Sequence, residues 1–204
     1  MKPVAFKLLK TLKDIARVQM GLAFRSRIEP ETDGTIAVIQ MRDLTEDNKL
    51  SHRNLITIKM DKLSDRHLVK RKDLIFRSRG QTTTAAIIDM EIGPAIVAAP
   101  LLRIRVASKH VLPEYLCWFV NQASAQAFLH SRATGTAMTV IGRSALDDLQ
   151  VPLPDLETQE RIVALADLSN KEQKLMRELA KKKEKLVNGI QMRWATEVSA
   201  DGRR

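Results

Sequence analysis

Val151-Pro152-Leu153-Pro154-Asp155-Leu156-Glu157-Thr158-Gln159-Glu160-Arg161-Ile162-Val163 is the stretch on which the fold turns. Its first four residues alternate apolar and proline, so a strand ends here. Proline removes a ladder donor and disfavours helix at the residue before it. Asp155 then stands where a carboxylate can cap orphan backbone N–H groups, with Gln159 in the next turn. From Asp155 to about Val198 there is no proline, and the only glycine is Gly189. The spacing predicts a helix of roughly 40 residues, about 60 Å long at 1.5 Å per residue. Such a helix cannot fold back into a small domain, and it calls for a partner.

Working back toward the N-terminus, Leu8 to Ala16 repeats apolar residues at helical spacing and reads as a short helix. Val18 to Phe24 turns at Gly21. Strands are predicted around Thr35–Met41, Leu55–Ile58, Leu74–Phe76, Ala95–Ala98 and Leu101–Val106. Pro113 opens a helix expected to run to about His130, and Ser131–Thr139 reads as a polar loop around Gly135-Thr136. Arg143–Leu149 reads as a short helix before the Val151-Pro152 strand. The expected architecture is α+β: a mixed domain over 1–155, a long helix over 156–198 and a disordered tail over 199–204.

Charge is unevenly spread. The net charge is +10, with 23 Lys and Arg against 15 Asp and Glu in residues 1–150, but 11 against 9 in residues 151–204. A cationic excess on the globular part attracts polyanions. The single cysteine, Cys117, lies in an apolar run, excludes an internal disulfide framework and suits a reducing cytoplasm. No leader-like apolar segment follows Met1, and no apolar run reaches the ~18 residues that span a bilayer. A cytoplasmic protein without a membrane partner is expected.

The helix carries a seam. Leu165, Leu168, Leu175, Leu179 and Leu186 share the a and d positions of one heptad frame, together with Arg193; Glu172, Lys182 and Gly189 interrupt it. Ile162, Met176, Val187, Ile190 and Trp194 broaden the stripe, which suits an antiparallel or multi-helix contact.

Catalytic patterns are weak. Pro154-Asp155 with Glu172-Gln173-Lys174 matches the letters of metal-dependent nucleases, but that chemistry needs both acids on adjacent strands, and Glu172 and Lys174 lie inside the predicted helix. His52, His67, His110 and His130 have no metal-ligand spacing, and no nucleophile elbow or phosphate loop is present. The basic, hydroxyl-rich loops are more suggestive: Arg25 and Arg27, Arg42, Arg77 and Arg79 with Gln81, Thr82, Thr83 and Thr84, and Arg132 with Thr136 and Arg143. Arginine pairs with guanine, glutamine with adenine, and threonine with phosphate or a thymine methyl. Any one of these arginines can equally be a solvated or ion-paired side chain, so the clustering carries the reading. Aromatics are few and read as core, which favours duplex over single-strand binding.

Taken in order, several segments resemble one half of the specificity subunit of type I restriction–modification systems. They are Leu12-Lys13-Asp14-Ile15-Ala16 with Gln19 to Phe24, Val38 to Leu44, Lys72 to Gly80, Pro113 to Leu116, Ala133 to Thr136, Val151 to Pro154 and Glu157 to Val163. The resemblance implies a DNA target recognition domain followed by a spacer helix, and no catalysis in this chain. It further implies that two copies pair through their helices as a homodimer and read a symmetric bipartite site in double-stranded DNA. Implied partners are DNA methyltransferase subunits, which bring S-adenosylmethionine, and a translocating nuclease subunit. Other readings stay open: recognition for another phage-defence system, a coiled-coil adaptor without DNA, or a nuclease.

Overall fold

The computed structural model describes residues 8–201 apart from 46, 53, 61, 136 and 137, with the backbone alone over 197–201. In chain order the strands are β1 (Leu9–Thr11), β2 (Ala16–Met20), β3 (Ile36–Ile39), β4 (Ile56–Ile58), β5 (Leu74–Arg77), β6 (Ala85–Ile87), β7 (Ala95–Val97), β8 (Leu101–Val106) and β9 (Gln150–Pro152). The helices are α1 (Leu12–Ile15), α2 (Pro113–Val120), α3 (Ala123–Ser131), α4 (Arg143–Asp147) and α5 (Leu156–Asp201).

The strands form an antiparallel four-stranded sheet ordered β2-β8-β5-β6, a mixed three-stranded sheet ordered β4-β3-β7, and the pair β1-β9. β5 lies between β8 and β6 and is buried at all of Leu74, Ile75, Phe76 and Arg77, so Leu74-Ile75-Phe76 reads as a continuous apolar run rather than an alternation, closed by a buried charge. Ala37, Ile39, Ala95 and Val97 of the small sheet share one core with Ile75, Ala86 and Leu101 of the large one. The other face of the small sheet, Val38, Ile58 and Ile96, is covered by Leu22, Phe24, Ile28 and Leu68. α2 lies against β6, and α4 against β2. Gly21 closes the junction between the sheets: a Cβ there would stand 2.6–2.8 Å from the backbone of Val97 and Ala98, and Leu22 N–H donates to Val97 O at 2.7 Å.

Three local expectations are corrected. Leu9–Thr11 is a strand, because it pairs antiparallel with Gln150–Pro152, far away in sequence; only Leu12–Ile15 is helical, capped where Thr11 N–H donates to Asp14 Oδ2 at 3.1 Å. Val18–Met20 continues a strand before the turn at Gly21. The helix expected from Pro113 to His130 breaks at Asn121-Gln122. There the Asn121 amide accepts from Ala85 N–H at 2.8 Å and donates to Ala85 O at 2.9 Å, extending the β6 ladder with a side chain.

The Val151-Pro152 strand and the Asp155 cap stand as read: Thr158 N–H donates to Asp155 Oδ1 at 2.7 Å. Gln159 is fully buried, accepting from Leu112 N–H and donating to His110 O and Pro154 O, all at 2.9 Å. This side chain holds the first helical turn to the domain. The chain divides into two compact units, Met1–Arg161 and Ile162–Arg204. α5 also continues past Val198 to Asp201, since Ser199-Ala200-Asp201 contains no helix breaker, so the expected tail is helical as far as the structure describes it.

Candidate nucleic-acid interface

The Lys72–Gly80 segment holds two of the candidate arginines, yet most of it is scaffold. Asp73 is 1% exposed and receives Arg105 as a bidentate pair at 2.7 and 2.6 Å, plus Lys70 N–H at 2.8 Å. The bond to Asp73 raises the Arg105 pKa. Arg103, also buried, reaches Leu68 O at 2.7 Å and Gln19 Oε1 at 2.6 Å, and burial lowers its pKa. Lys72 pairs with Glu114, and Ser78 donates to Pro100 O.

Arg77 is corrected from a DNA-reading to a structural residue. It is 8% exposed, and its guanidinium donates to Leu44 O at 2.5 Å, Thr45 O at 2.7 Å, Thr84 Oγ1 at 3.1 Å and Asn48 Oδ1 at 3.2 Å. Burial lowers its pKa. Four of its five N–H donors are thus spent inside the fold. Thr83 is corrected for the same reason: it is 1% exposed and bonded to Gln126 at 3.0 Å and His130 at 3.1 Å.

What Arg77 does is gather loops. It fastens residues 44–48 to the end of β5, with Thr84 donating to Asn48 as well. Asn48 has φ 55, a conformation asparagine tolerates. Past β5 the chain keeps pairing: Ile141 N–H donates to Ser78 O at 2.7 Å, Gly80 N–H to Thr139 O at 3.1 Å, and Arg79 lies opposite Val140. Gly80 takes φ 113, which favours glycine. The described residues of three loops, 44–45 with 47–50, 79–82, and 134–135 with 138–140, therefore meet at the end of one central strand. They present exposed Thr45, Lys49, Arg79, Gln81, Thr82 and Thr134. Thr136 lies outside the described residues. Sequence reading missed Thr45, Lys49 and Thr134, and the Asp47-Asn48 turn dipeptide is the signal that marked that loop.

The remaining candidates lie elsewhere on the surface of this unit. Arg25 is exposed, and Arg27 stands 3.6 Å from Glu29. Arg42 is 3.9 Å from Asp43. Arg132 pairs with Asp148 at 2.9 Å while lying 4.5 Å over the Phe128 ring, and Arg143 pairs with Asp147 at 3.1 Å. Exposed pairs of this kind are worth ~0–1 kcal/mol, so such arginines can exchange a carboxylate for a phosphate at little cost. Among the described residues no three His, Cys, Asp or Glu side chains gather as metal ligands, and no helix is long and apolar enough to cross a membrane.

In the helical unit the predicted seam is bare. Leu165, Leu168, Leu175, Leu179 and Leu186 are 55–69% exposed, Ile190 is 41% exposed and Ile162 is half-buried.

The chain thus comprises a small two-sheet core that holds out loops and, in sequence after it, a long helix. The family model for the type I restriction modification DNA specificity domain matches residues 4–184. The chain belongs to that family. No curated protein matches it. Among solved structures, a chain from work on complex assembly and conformational transition of the type I R-M system is similar at 16% identity and TM-score 0.63, over 91% of this chain and 45% of that one. The HsdS subunit from Thermoanaerobacter tengcongensis is similar at 17% identity and TM-score 0.59, over 81% and 37%. The type I S subunit from M. genitalium is similar at 11% identity and TM-score 0.52, over 80% and 39%. The chain thus spans less than half the length of each of these structures, whose likeness is one of fold.

Proposed function

We propose that this chain is a half-size specificity subunit of a type I restriction–modification complex. Its domain reads one half-site in duplex DNA through the three-loop cluster and its flanking basic residues. Its helix pairs with that of a second copy, so that the two domains together read a symmetric, interrupted site. Methyltransferase subunits, carrying S-adenosylmethionine, and a translocating nuclease subunit supply the chemistry; this chain supplies none. Such a complex acts on DNA in the cytoplasm and in defence against phage.

The observation that carries the reading is the bare leucine stripe of α5. Apolar stripes of this length are covered in functioning proteins. Light scattering on the purified chain, followed by selection from random duplexes, tests it. The expected result is a mass near twice 23.0 kDa and an inverted-repeat site with a fixed gap. A monomer that selects one ungapped half-site would overturn the paired reader.

A further inference from the structure

The leucine seam of α5 is interrupted at Glu172, Lys182 and Gly189. Glu172 and Lys182 are exposed, and among the described residues neither has an ion-pair partner on its own helix, where the recorded pair beyond Arg161 is Lys174–Glu178 at 4.0 Å. A charge on an apolar seam weakens association when it faces a leucine, and it selects register when it faces its opposite.

The positions of these interruptions are symmetric. Glu172 and Lys182 are equidistant in sequence from Arg177; so are Leu175 and Leu179, Leu168 and Leu186, and Leu165 and Gly189. We infer that a second copy of this chain packs antiparallel on this face with the two-fold axis level with Arg177, its Lys182 facing Glu172 and its Glu172 facing Lys182. This deepens the helix-pairing part of the proposed function and rests on it.

In that register each a position meets a d position. Leucine meets leucine in the central layers, and Leu165 meets Gly189. Glycine weakens a helix, and no atom within 4 Å in its own chain requires one at 189; opposite Leu165 it makes room for the larger side chain. Ile162 and Ile190 fall on one flank, evenly spaced about Met176 beside the axis. Sliding the pair by one heptad in either direction destroys the match. One slip sets Glu172 against Leu175, Lys182 against Leu165 and Leu186 against Arg161. The other sets Glu172 against Gly189, Lys182 against Leu179 and Leu168 against Arg193. The opposite flank is less favourable, with Lys171 near Lys185 and Glu178 near itself, but these long side chains are exposed and can splay into water.

The register has a functional consequence. It puts the starts of the two helices about 60 Å apart, and a one-heptad slip would change that separation by about 10 Å, or about three base pairs. The two opposed charges therefore fix the gap of the site that the pair reads.

The test uses the full chain with Glu172→Lys, Lys182→Glu and the double exchange, with mass by light scattering at low salt and helix content by circular dichroism. Each single variant is expected to lose at least tenfold in dimer affinity. An equimolar mixture of the two singles, whose charges then complement, should form dimers, and E172K/K182E should dimerise like the unaltered chain. Single variants that dimerise undiminished, or a mixture that fails to rescue, would overturn the register while leaving the pairing intact. An unaltered chain that is monomeric overturns the pairing itself, and the register with it.

Discussion

The two units of the molecule break the usual inside–outside rule in opposite senses. The domain buries charge: Asp73, Arg77 and Arg103 are each at most 8% exposed. The helix exposes leucine, with five seam leucines more than half in water. Among the described residues these buried charges find partners inside their own unit, whereas the seam leucines stay bare. A group satisfied within the fold is scaffold, however suggestive its residue type, and a group left unsatisfied points outward to a partner. In the domain the outward-pointing groups are Arg79, Lys49 and their neighbours at the loop tips. In the helix they are the stripe itself.

The largest expected effect lies at the buried charge. Asp73→Ala leaves Arg103 and Arg105 without their carboxylate and should cost about 3–5 kcal/mol of domain stability. Each unit has its own reporter: Trp118 packs 5.6 Å from Tyr115 in the domain, and Trp194 is exposed on the helix. The urea transition followed through Trp118 should move for Asp73→Ala and stay in place for Leu179→Glu. If both substitutions move it equally, the two units are not separate in the way described.

Leu179→Glu should instead act on association. Each leucine kept in water forfeits about 1.5–3 kcal/mol, and a two-fold pair loses two of them, so the mass should fall to that of one chain. Unchanged mass would mean that the stripe is covered in some other way.

Within the domain, Arg77 and Arg79 sharpen the comparison further. Arg77→Ala should lower stability, because it empties the hub that holds loop 44–48 to β5. Arg79→Ala should leave the Trp118 transition within about 0.5 kcal/mol, as surface changes do. It should weaken specific DNA binding by ~1–3 kcal/mol if the side chain reads a base, or lower the salt slope by about one if it holds a phosphate. Fluorescence anisotropy over a salt series separates these outcomes. Equal losses of stability at both positions would contradict the division into hub and reader.

Sequence reading went furthest where structure is local. The Val151-to-Val163 junction, the Asp155 cap and strands β3, β4, β5, β7 and β8 follow from proline, cap and β-branched signals that act within a few residues. It failed where a distant partner decides. Leu9–Thr11 carries helical spacing but is captured by Gln150–Pro152, and the Pro113 helix is cut because Asn121 serves a strand from outside its own helix. The site failed in the same way. Arg77 ends β5 and Arg79 follows two residues later, and the two look alike in sequence, but Arg77 is 8% exposed and Arg79 is exposed. Alternation would put side chains two residues apart on the same face, so it does not separate them. Only the 44–48 loop, folded over one of them, tells which is enclosed.

The smallest effect tests the domain's interior through pH. Cys117 is half-buried as a residue, but its thiol lies 3.6 Å from Ala85 O, and burial, with the Glu114 charge, pushes its pKa up to about 12. Burial pushes Tyr115 to about 12 as well, its hydroxyl donating to Pro152 O at 2.6 Å. In both cases the folded value exceeds the unfolded one. Their stabilising effect is thus complete below the unfolded pKa, and it is lost as pH rises toward the folded one. From an ordinary thiol value near 9 upward, stability should fall by at most about 1.4 kcal/mol per pH unit through Cys117, and more steeply above about 10, where an ordinary tyrosine also titrates. Cys117→Ala should flatten the first part of that slope and leave the second. The helix offers a control, since a cysteine introduced at exposed Leu179 in the dissociated chain should react with thiol reagents at an ordinary rate while Cys117 in the same chain stays protected. Equal reactivity at the two positions would mean that the domain does not enclose Cys117, and that its interior is more open than its buried charges indicate.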